Sequence, residues 1–115
     1  MPVRIKRIYD DAEADDGDRI LVDRIWPRGC TKVQAKLDEW LKDVAPSTDL
    51  RRWFGHKPER WAQFKERYLV ELKGKSAVNE LRERAATRTV TLLYGARDRK
   101  FNQAVVLAEL LSEPA

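Results

Sequence analysis

The sequence predicts a small three-layer α/β domain, in which a short and mostly parallel sheet of about three strands is covered by about five helices. Three runs of apolar and β-branched residues have the length of strands, and the remaining segments carry apolar residues at helical spacing. The 115 residues can bury one hydrophobic core but not two. We therefore expect a single domain over residues 1–115.

Two strands are predicted on either side of an acidic connection. Residues 3–9 mix apolar and basic side chains, which favours a strand with one wet face, and an apolar run begins at Ile20 and continues to Ile25. Pro27 ends the second strand because proline cannot donate a hydrogen bond to a neighbouring strand. The connection is short for a parallel crossover, so the pair forms either a hairpin or a parallel arrangement.

Four helices are predicted in the middle of the chain, over residues 31–46, 47–55 and 58–74 and from Ser76 onward. A capping box opens the first, Ser47 or Thr48 caps the second, and a proline lies in the first turn of the third. Their apolar stripes are, in order, Leu37, Trp40, Leu41 and Val44; Leu50, Trp53 and Phe54; Trp61, Phe64, Tyr68, Leu69 and Leu72; and Val78, Leu81 and Ala85.

The last strand and the last helix follow. Residues 89–94 (TVTLLY) are β-branched and aromatic, so we expect a strand buried on both faces at the centre of the sheet. After a polar loop at residues 95–100, an amphipathic helix is predicted from Phe101, fraying into Pro114.

The charge of the chain is unevenly distributed. The segment from Asp10 to Asp18 contains six acidic residues and no basic one, which leaves 23 basic and 13 acidic residues elsewhere and a net charge of +10 there. Such a basic body attracts anions, including nucleotides and nucleic acid, although a well-solvated charged surface has the same composition. The acidic segment is also a candidate for docking a basic partner.

Several function classes lack support. Cys30 is the only cysteine, which excludes an internal disulfide and fits a reducing compartment. There is no signal-peptide pattern and no stretch of the roughly 18 apolar residues that a membrane span needs, so we expect a cytoplasmic protein that is not membrane-bound. Dinucleotide, NTP-binding, hydrolase and zinc-protease motifs are missing, and we expect no metal and no cofactor.

Polar residues gather where two predicted strands end. In open α/β sheets ligands bind beyond the carboxyl ends of the strands, which selects residues 23–29 and 94–102. The candidate ligand-binding residues are Arg24, Trp26, Arg28, Tyr94, Arg97 and Asn102. The arginines would grip a carboxylate or phosphate, Trp26 would stack on a planar group, and Asn102 would act at a helix terminus. Alternatively, Arg24 pairs with Asp23 or Asp98 and joins the two loops.

Three residues are candidates for proton transfer in catalysis. Asp23 and Asp98 would act as general acids or bases if burial moved their pKa toward working pH, and His56 is the only histidine. Each also has a structural alternative, as an ion pair, a loop cap or a helix cap. Cys30 precedes a predicted helix N-terminus but more simply fills a gap in the core.

Separate motifs in one order carry a family resemblance. Residues 21–29 (LVDRIWPRG), 37–42 (LDEWLK), 45–47 (APS), 53–56 (WFGH) and 102–107 (NQAVVL) resemble the YeaO-like proteins, a family built on domain of unknown function 488. The resemblance spans nearly the whole chain and implies a small cytoplasmic α/β protein without an assigned activity. The wider superfamily often has a Cys-His-Arg run where this chain has Asn102, Gln103 and Ala104, so its thiol chemistry does not transfer.

The sequence therefore favours an enzyme or a binding protein for a small anionic, phosphate-bearing ligand held at the strand ends. A nucleic-acid-binding module that uses the basic surface is the alternative. The sequence does not predict the reaction, the substrate or the oligomeric state.

Overall fold

The computed structural model describes residues 3–113 and contains one sheet of four strands. The strands are β1 (Val3–Arg7), β2 (Asp18–Leu21), β3 (Glu39–Trp40) and β4 (Val90–Tyr94), and the helices are α1 (Lys32–Ala35), α2 (Thr48–Phe54), α3 (Trp61–Leu72), α4 (Ser76–Thr87) and α5 (Gln103–Ser112). The order is β1-β4-β2-β3, and every pairing in the described residues is parallel. The predicted α/β class is confirmed, with one strand more than expected.

Strand β4 lies between β1 and β2, as a strand buried on both faces should. Because β1 and β2 are both parallel to β4, the hairpin alternative for the first two strands is wrong. Leu21 pairs with Leu93, which places the carboxyl ends of β2 and β4 side by side. The second strand ends at Leu21 rather than at Ile25, whose side chain is 56% exposed and therefore does not belong to a buried run.

The helix predicted over residues 31–46 is wrong beyond its first turn. The capping box of Thr31 and Gln34 forms, but α1 ends at Ala35, because the following residue, Lys36, is left-handed with φ of 48°. Strand β3 then pairs with β2, and the Leu41 N–H donates to the Leu21 carbonyl at 2.9 Å. The open edge of β2 needs hydrogen-bond partners, and satisfying it outweighs the helical spacing of the apolar residues.

Helices α2 to α5 lie where the sequence predicts them. Ser47 caps α2 by accepting from the Leu50 N–H, Gly55 ends it with φ of 53°, and Asn102 caps α5. A 3₁₀ turn at Pro58–Arg60 precedes α3. The predicted fraying into Pro114 lies outside the described residues. None of the helices within residues 3–113 is long and apolar enough to cross a membrane.

Both faces of the sheet are covered. The larger core packs alternate strand residues such as Ile20 and Leu92 against α2 to α5, and the smaller core packs Leu21 and Leu93 against Cys30. Successive strand residues point to opposite faces, so the sheet forms the middle layer. Cys30 is buried in the smaller core, which agrees with a structural role for this residue.

The acidic connection between β1 and β2 is fixed to the rest of the protein through contacts of its acidic residues. Buried Asp16 contacts the Arg19 guanidinium at 2.6 Å and the Lys6 ammonium at 3.0 Å. The Thr91 hydroxyl donates to the Asp16 carbonyl at 2.6 Å. Burial opposes ionisation, but hydrogen bonds from the Glu13 N–H, Lys6 and Arg19 hold the Asp16 pKa at about 2. The connection is therefore a structural clamp at the amino ends of the strands.

Candidate functional site

A cavity of about 530 Å³ opens at the carboxyl ends of β2 and β4. The residues at the end of β2 form one wall, and α2, His56 and the loop before α5 form the others. Its lining is Tyr9, Asp23, Arg24, Ile25, Trp26, Pro27, Arg28, Pro46, Arg51, Phe54, His56, Phe64, Gly95, Ala96, Phe101, Asn102 and Gln103. The volume lies within the roughly 300–1,000 Å³ typical of small-molecule sites.

Asp23 joins three segments at the floor of the cavity. Its carboxylate accepts a hydrogen bond from the Gly95 N–H at 2.9 Å and another from the Gln103 side-chain amide. Its carbonyl accepts from the Trp40 indole N–H at 2.7 Å. Burial raises the Asp23 pKa to about 6, although both hydrogen bonds and the nearby Arg51 charge favour ionisation. Asp23 is therefore a half-buried carboxyl that changes charge near neutral pH.

Gly95 is needed for this contact. A Cβ atom at this position would lie 2.9 Å from the Asp23 carboxylate and 3.0 Å from Pro27. The absence of a side chain lets the two strand-end loops touch, which closes one side of the cavity.

Arg24 and Arg28 have different surroundings. The Arg24 guanidinium donates to the Pro46 carbonyl at 2.9 Å and to the Ala45 carbonyl at 3.3 Å, so it is fixed against the start of α2. It pairs with neither Asp23 nor Asp98, contrary to the loop-joining alternative. The Arg28 side chain is exposed at the cavity, and its carbonyl accepts from the Tyr9 hydroxyl. One arginine is thus oriented by the fold and the other is free to move.

Arg51 is the cationic residue that the sequence analysis missed. It lies in α2 three residues before Phe54, so the two share a helix face and both line the cavity. Its Nε atom is buried and has no hydrogen-bond partner among the described residues. It affects the Asp23 pKa through its charge without forming an ion pair with it. The three-residue spacing between Arg51 and Phe54 could have indicated that Arg51 lies on the buried face of the helix, but an arginine in a helix usually faces solvent.

Aromatic rings form the apolar walls. On one side Phe54 stacks on Phe64 with ring centroids 4.4 Å apart, and Trp61 links them to Phe101 at 5.2 Å. On the other side the Trp26 indole donates to the Cys30 carbonyl at 2.6 Å. Trp26 is therefore held in place, with its ring in a T-shaped contact with that of Trp40.

Tyr9 stands at the mouth of the cavity and was also missed. Its side chain is 41% exposed, its hydroxyl donates to the Arg28 carbonyl, and the Arg7 guanidinium lies 4.7 Å from the ring centroid. Arg7 is itself fixed by donating to the Ala96 carbonyl at 2.9 Å. An exposed aromatic ring is thus held at two points.

His56 also lines the cavity. The His56 backbone is left-handed, with φ of 57°, and its side chain is exposed. The centroid of its ring lies 6.2 Å from that of the Phe54 ring. It lies between α2 and the 3₁₀ turn.

The other predicted residues are placed differently. Asn102 lines the cavity, but it is the cap of α5, and its amide donates to the Asp98 carbonyl at 2.9 Å. Tyr94, Arg97 and Asp98 do not line it. Tyr94 is buried, which raises its pKa, and Arg97 is exposed. Hydrogen bonds from the N–H groups of Lys100 and Phe101 lower the Asp98 pKa, so this carboxylate caps a loop.

The described residues contain one group of acids close enough to hold a metal ion, formed by Glu13, Asp15 and Asp16. The Lys6 ammonium lies 2.7 Å from Glu13 and 3.0 Å from Asp16, so a lysine already neutralises this group. It is part of the clamp described above.

Comparison with known proteins gives close relatives of undetermined activity. A family model described as the inactive DUF488-N3 subclade matches residues 2–115. The chain is 46% identical to the uncharacterised protein YeaO of Escherichia coli, over 96% of this chain and 97% of the relative. It is also 46% identical to the uncharacterised protein Rv3073c of Mycobacterium tuberculosis, over 96% of this chain and 93% of the relative. No solved structure matches the chain.

Proposed function

The chain belongs to the YeaO-like DUF488 family, in its inactive DUF488-N3 subclade, and we propose that it binds a small anionic ligand in the cavity at the carboxyl ends of β2 and β4. The ligand class follows from the charge of the lining, which contains Arg24, Arg28 and Arg51 against Asp23 as its one acid.

Arg51 is the observation that carries this proposal. A buried donor without a partner costs about 1–3 kcal/mol, and the loss is recovered when an acceptor arrives. Within the described residues the Arg51 Nε lacks an acceptor, and the side chain lines a cavity large enough for a ligand. A carboxylate or phosphate would supply the missing acceptor once the Arg51 side chain turns its guanidinium into the cavity, and arginine can bind either group through two parallel hydrogen bonds.

The remaining polar residues support the same ligand. Arg24 is fixed by two carbonyls beside the cavity, so little side-chain entropy is lost when it contacts an anion. Arg28 is exposed and can close over the ligand. Asp23 uses both oxygens to accept hydrogen bonds within the protein, so it shapes the floor and repels the ligand only weakly when protonated.

Binding is better supported than catalysis. The subclade whose model matches the chain is described as inactive, and the start of α5 carries Asn102, which caps the helix, and Gln103, which donates to Asp23. Of the residues proposed to transfer protons, Asp23 and His56 line the cavity and Asp98 lies outside it. If a reaction occurs here, Asp23 and His56 are the groups that would move its protons.

A thermal-shift screen tests the proposal. The screen should cover inorganic phosphate, sugar phosphates, nucleotides and dicarboxylates, with Tm measured for the wild type and for Arg51→Gln, Arg28→Ala and Arg82→Gln. A ligand that binds the native state alone raises Tm by mass action. We expect a hit that is lost in Arg51→Gln and weakened in Arg28→Ala.

Arg82→Gln is the matched control. Arg82 also has a buried Nε without a partner among the described residues, but it lines a different cavity of about 350 Å³ beside α4. Its replacement should leave the shift unchanged. A screen without any hit, or a hit that survives Arg51→Gln, would overturn the proposed site.

A further inference from the structure

We propose that the occupant of this cavity is a nucleotide unit of a single-stranded nucleic acid, rather than a free metabolite. This inference rests on the proposed function, since the arginines in the cavity would bind a phosphate. It adds that the ligand continues out of the cavity as a polyanion, across a basic surface around the mouth.

The basic surface is defined by the residues that flank the lining in the sequence. Arg52 follows Arg51, Lys57 follows His56, Arg97 follows Ala96, and Lys100 precedes Phe101. We call these four the basic rim: Arg52, Lys57, Arg97 and Lys100. All four are exposed, and none forms an ion pair within the described part of the chain.

The acids near the mouth offset only part of this charge. Asp10 pairs with Arg99 at 2.9 Å. Asp98 keeps its negative charge, because hydrogen bonds from the N–H groups of Lys100 and Phe101 stabilise the carboxylate, and it offsets one of the four positive charges of the basic rim. Lys65, the other basic residue flanking the lining, is neutralised by Glu109 at 2.6 Å. The positive charge left unpaired around the cavity therefore faces solvent, as in sites that bind the phosphates of a nucleic-acid backbone.

Tyr9 supplies the second observation. Proteins that bind single strands stack bases on exposed aromatic rings. The Tyr9 ring is exposed at the mouth and fixed by its hydroxyl contact to the Arg28 carbonyl and by Arg7. Because the ring is held before any ligand arrives, stacking a base on it costs little side-chain entropy. A free phosphate has no base that could stack on this ring.

Fluorescence anisotropy with a labelled oligothymidylate bearing a 5′-phosphate tests the inference. The rim variant Arg52→Gln/Arg97→Gln/Lys100→Gln should bind the oligonucleotide more weakly than the wild type. Each phosphate contact on a single strand contributes roughly 0.7 to the slope of log K against log salt. If each of the three replaced residues contacts one phosphate, the slope of the rim variant should be less steep by about 2. The matched control, Lys32→Gln/Lys36→Gln/Lys73→Gln, removes the same charge from exposed residues that do not line the cavity and form no ion pair within the described part of the chain. The control should keep most of the slope.

The Tyr9 variants test the stacking contact. Tyr9→Ala should weaken oligonucleotide binding by roughly tenfold or more, because the stacking of one base on the ring is lost. Tyr9→Phe keeps the ring and should lose much less. Both variants should reduce the Tm shift given by inorganic phosphate less than Tyr9→Ala reduces oligonucleotide binding, because phosphate has no base to stack.

The outcomes separate this inference from the proposed function. If phosphate or a mononucleotide binds through Arg51 while the oligonucleotide binds no more tightly than the mononucleotide, the cavity binds a free ligand. In that case this inference is overturned and the proposed function stands. The same holds if the rim variant and its control weaken binding equally. If no anion binds through Arg51, both proposals are overturned.

Discussion

The Asp23 carboxylate accepts the backbone N–H of Gly95 at 2.9 Å, and this contact ties the end of β2 to the end of β4. The same carboxylate accepts from Gln103 in the first turn of α5. One side chain thus fixes the relative positions of two strand ends and a helix, which form the floor of the cavity. Its pKa of about 6 makes this junction sensitive to pH in the physiological range.

Gly95→Ala should destabilise the protein by about 1–3 kcal/mol, because the new methyl group would contact Asp23 and Pro27 and force the loops apart. Urea unfolding measures the change. Gly29→Ala is a useful control, since open space surrounds that position and its cost, from φ of 77°, should be about 1 kcal/mol. A cost at Gly95 no larger than at Gly29 would mean that the contact is loose.

Asp23→Asn should flatten the pH dependence of stability between pH 4 and pH 6. The folded-state pKa of Asp23 is raised from 3.8 to about 6, so the folded protein binds this proton more tightly than the unfolded chain. Stability from this group is therefore full at low pH and declines as pH rises through the window, by about 1–3 kcal/mol. Urea unfolding at several pH values should show that decline in the wild type and not in Asp23→Asn.

Anion binding should depend on pH through the same group. Protonating Asp23 removes a negative charge from the cavity, so affinity for sulfate, whose own charge is constant in this range, should rise as pH falls from 7 to 5, and the rise should be smaller in Asp23→Asn. His56→Gln separates any contribution of the histidine that lines the cavity. Titration calorimetry measures the affinities, and equal pH dependence in wild type and Asp23→Asn would contradict the assignment.

Asp16→Asn should cost about 3 kcal/mol at pH 7, because it leaves the buried Arg19 and the Lys6 ammonium without their shared carboxylate. The Asp16 pKa is lowered to about 2, so its contribution is present above pH 4 and is lost as pH falls toward 2. Asp15→Asn is the control, since that side chain is 77% exposed and should change stability by less than about 0.5 kcal/mol. Guanidinium unfolding of both variants makes the comparison.

Ser47→Ala should loosen the helix that carries Arg51. The Ser47 hydroxyl accepts from the Leu50 N–H and donates to Glu71 of α3 at 2.6 Å, so its removal should cost about 1–2 kcal/mol. Thr48, whose side chain is not the cap, provides the control as Thr48→Ala. We expect Ser47→Ala to weaken anion binding as well, measured by the ligand-dependent change in Tm.

The sequence predicted the position of the cavity because that position follows from local signals. Buried strands, short loops and helix caps are encoded within a few residues, and the carboxyl edge of a parallel sheet is the usual place for a ligand. Asp23, Arg24 and Trp26 were therefore selected, and they line the cavity.

The missed features depend on contacts between distant segments. Strand β3 forms because the edge of β2 needs a partner, whereas residues 37–44 alone have helical spacing. Arg51 lines the cavity because α2 packs beside the strand ends. Asp98 does not line it, because its carboxylate accepts a backbone hydrogen bond in the loop before α5. The sequence pattern gives the type of each element, but the docking of one element on another decides which side chains meet.

The most direct test of the central claim is an NMR titration that observes the arginine Nε–H groups as phosphate is added at constant ionic strength. If the cavity binds an anion through Arg51, the Arg51 resonance should shift and saturate, while the Arg82 resonance, from the other buried Nε without a partner in the described residues, should stay in place. Equal and unsaturated shifts of both, or no shift of Arg51 at any phosphate concentration, would contradict the account.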